Sequence, residues 1–436
     1  MTMTDGVPLR GGPFAYRDFR LFWIARMASM LSQSSLVIAL GWLVYDVARR
    51  TMDVREAALQ LGLIGLVQFV PMFVLTPLTG WMADRYDRRH MAGWSCIAQL
   101  AGAVVLAWMV HDGRGSLLTY FLIAALTGIT RAVYRPPINA LAPNTVPRPL
   151  LPRAVAANAV AGRVGAILGP VVGGYAYAIA PYFAFALSAA LLALSSGALF
   201  AISAIERQEL DRNRHPLRQM VDGLTYVLRH KLVLGAISLD LVAVLLGGAT
   251  ALLPVYARDI LHVGPAGLGN LRAAPAIGAL ASGLWLSWKP LDGRVGIKML
   301  VSVVIFGIAT IVFGLSRSLP LSLVCMAVLG GADMISVYVR QSLVQIATPD
   351  AMRGRVGAIS SLFVSASNEL GEAESGFLAA AIGPVLAVVL GGAGTIAVVV
   401  LWARWFPALR KADSFEHHIE EVVSAAAPGE RGSRIP

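Results

Sequence analysis

The chain has 436 residues, 57% hydrophobic and only 14% charged, with 36 Lys and Arg against 25 Asp and Glu for a formal net charge of +11. Soluble domains carry about 25% charged residues, so this composition, with a mean hydropathy of +0.68, excludes an ordinary soluble domain and indicates a membrane protein. Cys96 and Cys325 each stand alone in an apolar run, which excludes a zinc or redox cysteine motif and reads as apolar filling.

Residues 1–20 are polar and basic, and the apolar run that follows is too long for the core of a cleavable signal. Apolar stretches of spanning length, roughly 20 residues each, are predicted at about 21–45, 58–82, 91–110, 117–140, 154–179 and 182–205. A second set follows at about 232–256, 267–288, 296–315, 319–346, 355–382 and 384–406. The connection over 206–231 is polar, contains an amphipathic stretch over 216–230, and separates six segments from six. The expected plan is an all-α membrane protein of twelve transmembrane helices in two pseudo-symmetric six-helix bundles, 21–205 and 232–406. An N-terminal arm (1–20), the linker (206–231) and a tail (407–436) complete it, the tail being polar, rich in Ala, Pro and Gly, and expected to be mobile.

Twelve spans put both termini on one side of the membrane. Lys and Arg crowd the N-terminal arm, the even-to-odd connections and the tail, while the opposite connections carry few. The positive-inside rule then predicts cytoplasmic termini, and the basic balance is topological. Nucleic-acid binding is excluded, because there is no soluble domain and no basic groove studded with aromatics.

A shift of 202 residues aligns part of the two halves: Arg153 on Arg355, Pro147 on Pro349, Gly169 on Gly371 and Gly174 on Gly376. Transporters are commonly built from such repeats, with the substrate site between them. The differences carry more information. Arg131 falls on Asp333 and Pro170 on Glu372, which predicts a chamber basic on one wall and acidic on the other.

Charges inside spans are costly and mark functional candidates. Arginines occur at 26, 131, 135, 163, 272 and 340, and acids at 240, 333, 369, 372 and 374. Arg26 shares a helix face with Gln33, and Arg131 with Arg135. Asp333, Ser336 and Arg340 form one stripe, too widely spaced for direct pairing, so each is expected to meet a different partner. Glu369 and Glu372 lie one turn apart and repel, which raises at least one pKa and makes them, with Asp240 and Asp333, candidate proton carriers. The alternative is a permanent structural pairing of these acids with arginines. Glu374 projects away from Glu372 and is the weaker candidate. Arg26, Gln33, Arg131, Tyr134, Arg163 and Arg340 are the candidate substrate-cavity residues, with Trp42, Asn158 and Tyr338 as further possibilities. The histidines fall at loop ends or in the tail, which argues against a histidine proton relay.

Two motifs complete the reading. Residues 80–89 read Gly-Trp-Met-Ala-Asp-Arg-Tyr-Asp-Arg-Arg, placing Gly80, Asp84, Arg85, Arg88 and Arg89 between the second and third spans. This pattern resembles the signature loop of the major facilitator superfamily. That family usually has glycine where this chain has Asp87, so a tight turn there needs the aspartate to tolerate it. In the fifth span, Gly165, Gly169, Pro170, Gly173 and Gly174 combine close-approach glycines with a kinking proline. The string resembles the antiporter motif of drug-exporting major facilitators. Further stretches, such as Phe-Arg-Leu-Phe-Trp at 19–23 and Asn-Glu-Leu-Gly-Glu at 368–372, resemble the bacterial drug:proton antiporter branch that includes the enterobactin exporters.

The resemblance implies proton-driven export of a small amphipathic molecule, a siderophore or a drug, across the bacterial inner membrane. It implies no cofactor beyond the proton gradient, partners limited to substrate, protons and lipids, and a monomer. An importer, facilitator or lipid transporter on the same fold stays open, as does the charge of the substrate. No phosphate-binding Gly-x-x-x-x-Gly-Lys-Ser/Thr loop occurs, which argues against ATP-driven pumping, and no nucleophile or metal cluster points to an enzyme. The resemblance also implies a cytoplasmic latch, in which Asp84 meets Arg353, Arg355 and the positive end of the eleventh span. Asp84→Asn is expected to shift the ratio of inward- to outward-open molecules and to slow transport; no change in either rules the latch out.

Overall fold

The structure, a computed structural model, describes residues 11–204 and 216–412, apart from the side chains of 77, 84, 216–219 and 351. The first half of the expected N-terminal arm, the start of the linker and the tail beyond 412 lie outside the described residues. Among the described residues there is no strand. The first six helices are α1 (Arg17–Ala48), α2 (Val54–Arg85), α3 (Arg88–Asp112), α4 (Leu117–Leu141), α5 (Leu151–Ile179) and α6 (Pro181–Phe200). The amphipathic α7 (Pro216–Arg229) follows, then α8 (Lys231–Leu246), the one-turn α9 (Leu253–Val255), α10 (Gly264–Trp288) and α11 (Val295–Leu315). Last come α12 (Leu319–Ile346), α13 (Asp350–Ile382), α14 (Pro384–Trp405) and the short α15 (Pro407–Arg410).

Local chemistry sets many of the helix ends. Asp53 and Glu56 form a reciprocal capping box at the start of α2, each side chain accepting the other's backbone N–H (2.7 and 3.2 Å). Gly113 (φ 68°) and Gly383 (φ 93°) end α3 and α13 in backbone conformations that disfavour a side chain. Pro181 and Pro384 open α6 and α14, where a missing N–H costs nothing. Asp87 departs from the sequence expectation. Its φ of −65° is ordinary extended backbone, and its carboxylate caps α3 by accepting the Arg89 N–H. No glycine is required at this position, because the chain turns without a left-handed residue.

The twelve expected spans are helical over most of their length, and among the described residues ten helices are long and apolar enough to cross a membrane. The other two are α10, which carries Arg272 and Asn270, and α13, which carries Glu369, Glu372 and Glu374. The seventh span, expected as one run over 232–256, is broken. α8 ends at Leu246, and the chain continues as a 3-10 turn (Ala249–Leu252), α9 and a π turn (Tyr256–Ile260). The break falls on Gly247 and Gly248, which weaken a helix entropically. Gly248 also runs against α13, where a Cβ would lie 2.5 Å from Ser375 Oγ and 2.8 Å from the Gly371 carbonyl carbon.

By contacts the chain forms two compact units. The first comprises Met1–Thr51, Val67–Arg212 and His262–Ala273; the second comprises Met52–Leu66, Asn213–Leu261 and Ala274–Pro436. Each unit therefore includes the start of a helix from the other half of the sequence. In the second unit, the first turns of α2 press on α13, where a Cβ on Gly62 would lie 2.9 Å from the Ala373 oxygen and 3.0 Å from Gly376 Cα. In the first, α5 meets the start of α10, where a Cβ on Gly269 would lie 3.3 Å from Gly174 Cα. Gly62→Val is expected to lower thermal stability by about 1–3 kcal/mol through overpacking. Gly80→Ala, with nothing within 4 Å of its added methyl, is expected to melt like the unsubstituted protein. Equal melting of all three proteins contradicts the α2–α13 backbone contact.

Candidate functional site

The second unit contains a cavity of about 310 Å³ beside the break after α8. Its wall combines Asp240 of α8, Asp333 and Arg340 of α12, and Asn368 and Glu372 of α13, with Gly247, Gly248 and Thr250 from the broken segment. Arg340 Nη1 donates to Asp240 Oδ2 at 2.8 Å, and the two residues are only 3% and 6% exposed. The partner that the spacing of the α12 stripe withheld from Arg340 is thus supplied by α8. Arg340 Nε is also buried but has no protein acceptor. Asp333 and Ser336, the other members of the stripe, line a smaller pocket that shares Asp240, Val244 and Phe306 with the main cavity.

On α13, Val364, Asn368 and Glu372 recur every four residues and present one face to the cavity. Glu369 is partly buried and is not part of this wall. Glu374 is also absent from it, as the helical angle predicts, and its Oε2 is buried without a partner. The first stretch of α2 backs the site, since a Cβ on Gly65 would touch Glu372 Cβ at 3.6 Å. Sequence reasoning missed Asn368, Thr250 and Phe306. Asn368 was within reach, one helical turn before a candidate carboxylate; Thr250 and Phe306 had no distinguishing signal.

The first unit has a different character. Its spans carry five arginines, Arg26, Arg131, Arg135, Arg163 and Arg272. Arg26 is half-buried, with Nε lacking an acceptor, and the Tyr134 hydroxyl beside it hydrogen-bonds Ser29. Arg131 and Gln33 are half-buried, whereas Arg163 and Arg135 are exposed. Asn158 Oδ1 is buried without a partner near Trp23, whose indole N–H donates to the Ala157 carbonyl (3.1 Å). The α5 motif is a packing surface: Cβ atoms on Gly165 and Gly173 would lie 2.6 Å from Met30 Cβ and Ser35 Oγ of α1, and Gly169 faces Ser34. Pro170 is buried among them, and Gly174 faces α10.

The α2–α3 connection ties helix ends together. Arg88 donates to the carbonyls of Ala83 (3.3 Å) and Ala140 (3.3 Å), and Arg89 donates to Ile202. These acceptors lie at or just beyond the C-terminal ends of α2, α4 and α6, where orphan carbonyls and the helix dipole favour cations. Arg89 also holds Asp87 through Nη2 at 2.7 Å, which keeps the Asp87 carboxyl below the usual aspartate range. Arg85 stacks 4.1 Å from the Trp81 ring. The side chain of Asp84 lies outside the described residues. Arg353 pairs with Asp350 and donates to the Gln345 carbonyl, and Arg355 pairs with Asp222 of α7 at 3.2 Å.

Removing one partner of a buried ion pair strands the other charge, at a cost of about 3–5 kcal/mol. Asp240→Asn alone is therefore expected to lower thermal stability sharply, and Asp240→Leu with Arg340→Met to recover most of it. A single substitution as stable as the unsubstituted protein refutes the structural weight given to this pair.

Comparison with known proteins agrees with this architecture. The enterobactin exporter EntS of Citrobacter koseri is 27% identical over 397 residues, covering 90% of this chain and 92% of that protein. EntS of Escherichia coli O139:H28 is 27% identical over 387 residues, covering 88% and 90%. Among solved structures, a peptide transporter of the POT family aligns with a TM-score of 0.74 at 13% identity, covering 94% of this chain and 98% of its own. The nucleoside transporter NupG aligns with a TM-score of 0.71 at 13% identity, covering 89% and 100%. These matches are transporters rather than enzymes, and at such identities the structural likenesses speak for the fold alone. A family model described as Major Facilitator Superfamily matches residues 22–371, and this multi-pass membrane protein belongs to that superfamily of transporters.

Proposed function

We propose that the chain exports a small amphipathic molecule from the cytoplasm in exchange for entering protons. The observation that carries this reading is the cavity on which Asp240, Asp333 and Glu372 converge beside a broken helix. Carboxylates held at membrane depth change charge at modest energetic cost when a proton arrives. Broken helices are where secondary transporters place substrate and coupling ions. The enterobactin exporters among its relatives support export as the direction and a catecholate siderophore as a substrate to test.

Asp333 and Glu372 are the proposed proton carriers, with Glu369 one turn from Glu372. Asp240 is tied to Arg340 and sets the electrostatics of the site. The distribution of Lys and Arg supports cytoplasmic termini in the bacterial inner membrane. The chain works as a monomer in lipid, with no cofactor beyond the proton gradient.

The test is flux in inside-out proteoliposomes. Enterobactin uptake is expected to require an acidic lumen, to raise luminal pH as it proceeds, and to stop when nigericin removes the gradient. Uptake indifferent to the gradient sinks proton coupling. Glu369→Gln combined with Glu372→Gln is expected to abolish gradient-driven accumulation, and unaltered coupling moves the carrier elsewhere.

A further inference from the structure

We propose that α7 is an interfacial helix that docks on the lipid bilayer, its apolar flank among the acyl chains and a basic anchor beside it selecting anionic headgroups. This rests on the reading of the chain as a membrane protein with cytoplasmic termini, and is independent of substrate and of proton coupling.

The path of α7 is the first observation. It joins α8 at His230, whose backbone is extended (φ −98°, ψ 99°) and interrupts the helix. It crosses the end of α12, where the Tyr226 hydroxyl donates to the Ala347 carbonyl (2.7 Å). It also crosses the start of α13, where a Cβ on Gly223 would lie 2.9 Å from the Arg355 oxygen. A helix laid across the ends of three spans runs along the membrane surface rather than through it.

The second observation is the exposed side of α7. Val227 is buried in the core of the second unit, and Met220 and Leu224 pack against that core. Val221 and Leu228, seven residues apart on one stripe, are 61% and 58% exposed. Thr225 and Arg229 are exposed on the adjoining arc. Core, apolar flank and polar arc therefore succeed one another around the helix, as they do where a helix meets protein, acyl chains and water in turn.

The third observation fixes depth and charge. Phe406 packs on Gly235, one turn into α8, where a Cβ would lie 2.9 Å from its ring, and the Trp402 indole donates to Ser238 Oγ (3.0 Å). The end of α14 is thereby level with the start of α8, and its last residue, Trp405, is 63% exposed. Tryptophan concentrates at the headgroup level, so Trp405 marks that level where α7 enters. Asp222, the single acid of α7, is held by Arg355 at 3.2 Å. Arg229, Lys231 and Arg404 are exposed at this junction and give it a positive surface that an anionic leaflet complements.

Spin labels attached at Val221→Cys, Thr225→Cys and Leu228→Cys would be read one at a time in the full-length protein with Cys96→Ala and Cys325→Ala. Vesicles with phosphatidylcholine and phosphatidylglycerol in both leaflets make the reading independent of orientation. Labels at 221 and 228 are expected to respond mainly to oxygen, and the label at 225 mainly to a water-soluble nickel chelate. A fluorophore at 221 is expected to be quenched at least about twofold more by brominated phosphatidylglycerol than by brominated phosphatidylcholine at equal fraction. Arg229→Gln, Lys231→Gln and Arg404→Gln together are expected to remove that preference. Dominance of the nickel chelate at all three positions, shielding of 221 and 228 from both reagents by protein, or equal quenching by the two lipids overturns the proposal. Enterobactin flux that ignores the proton gradient leaves these readings untouched, so the two ideas fail separately.

Discussion

An arginine and an aspartate, both almost wholly removed from water, meet at 2.8 Å between α8 and α12. Neither charge is affordable alone at membrane depth, where each costs at least about 2.5–3.5 kcal/mol at the centre of a helix. Their attraction fixes the approach of two helices and sets the charge of the space they enclose. The pair cancels itself on a wall that also holds Asp333 and Glu372.

Backbone proximity is the other constraint, and glycine supplies it. The break after α8 exists because Gly247 and Gly248 cannot hold a helix strongly and because Gly248 must pass against α13. Irregular backbone at this depth persists only where protein buries it or where it lines a cavity; here it does both. The same economy appears in α5, whose glycines admit α1 on one face and the start of α10 on another. The α5 string resembling the antiporter motif is therefore, at the level of contacts, a surface for close helix packing, and Pro170 lies inside it.

The signature loop also has a physical role apart from any latch. Arg88 and Arg89 distribute their donors over carbonyls at the ends of three helices of the first unit, and Asp87 orients Arg89 while capping α3. A glycine at 87 could do neither. Arg355 holds Asp222 on α7 and so connects the linker helix to the start of α13. Membership of the superfamily establishes transport, but a fold hosts many substrates. In this chain the spans of the first unit carry arginines, and the cavity of the second carries carboxylates.

The sequence alone determined where the apolar helical stretches lie and which charges they contain. Apolar runs of bilayer length and misplaced charges are local properties, readable without knowing what touches what. The loop and the α5 string were legible for the same reason, as short contiguous patterns. Three things required tertiary structure: that Arg340 meets Asp240, a hundred residues earlier in the chain; that Asn368 and Glu372, but not Glu369, face the cavity; and that α8 unwinds at Gly247 and Gly248. Helical periodicity says which residues share a face but not where that face points. The direction is set by distant backbones approaching through glycine and by buried charges finding opposite partners, and neither is encoded within one turn of helix.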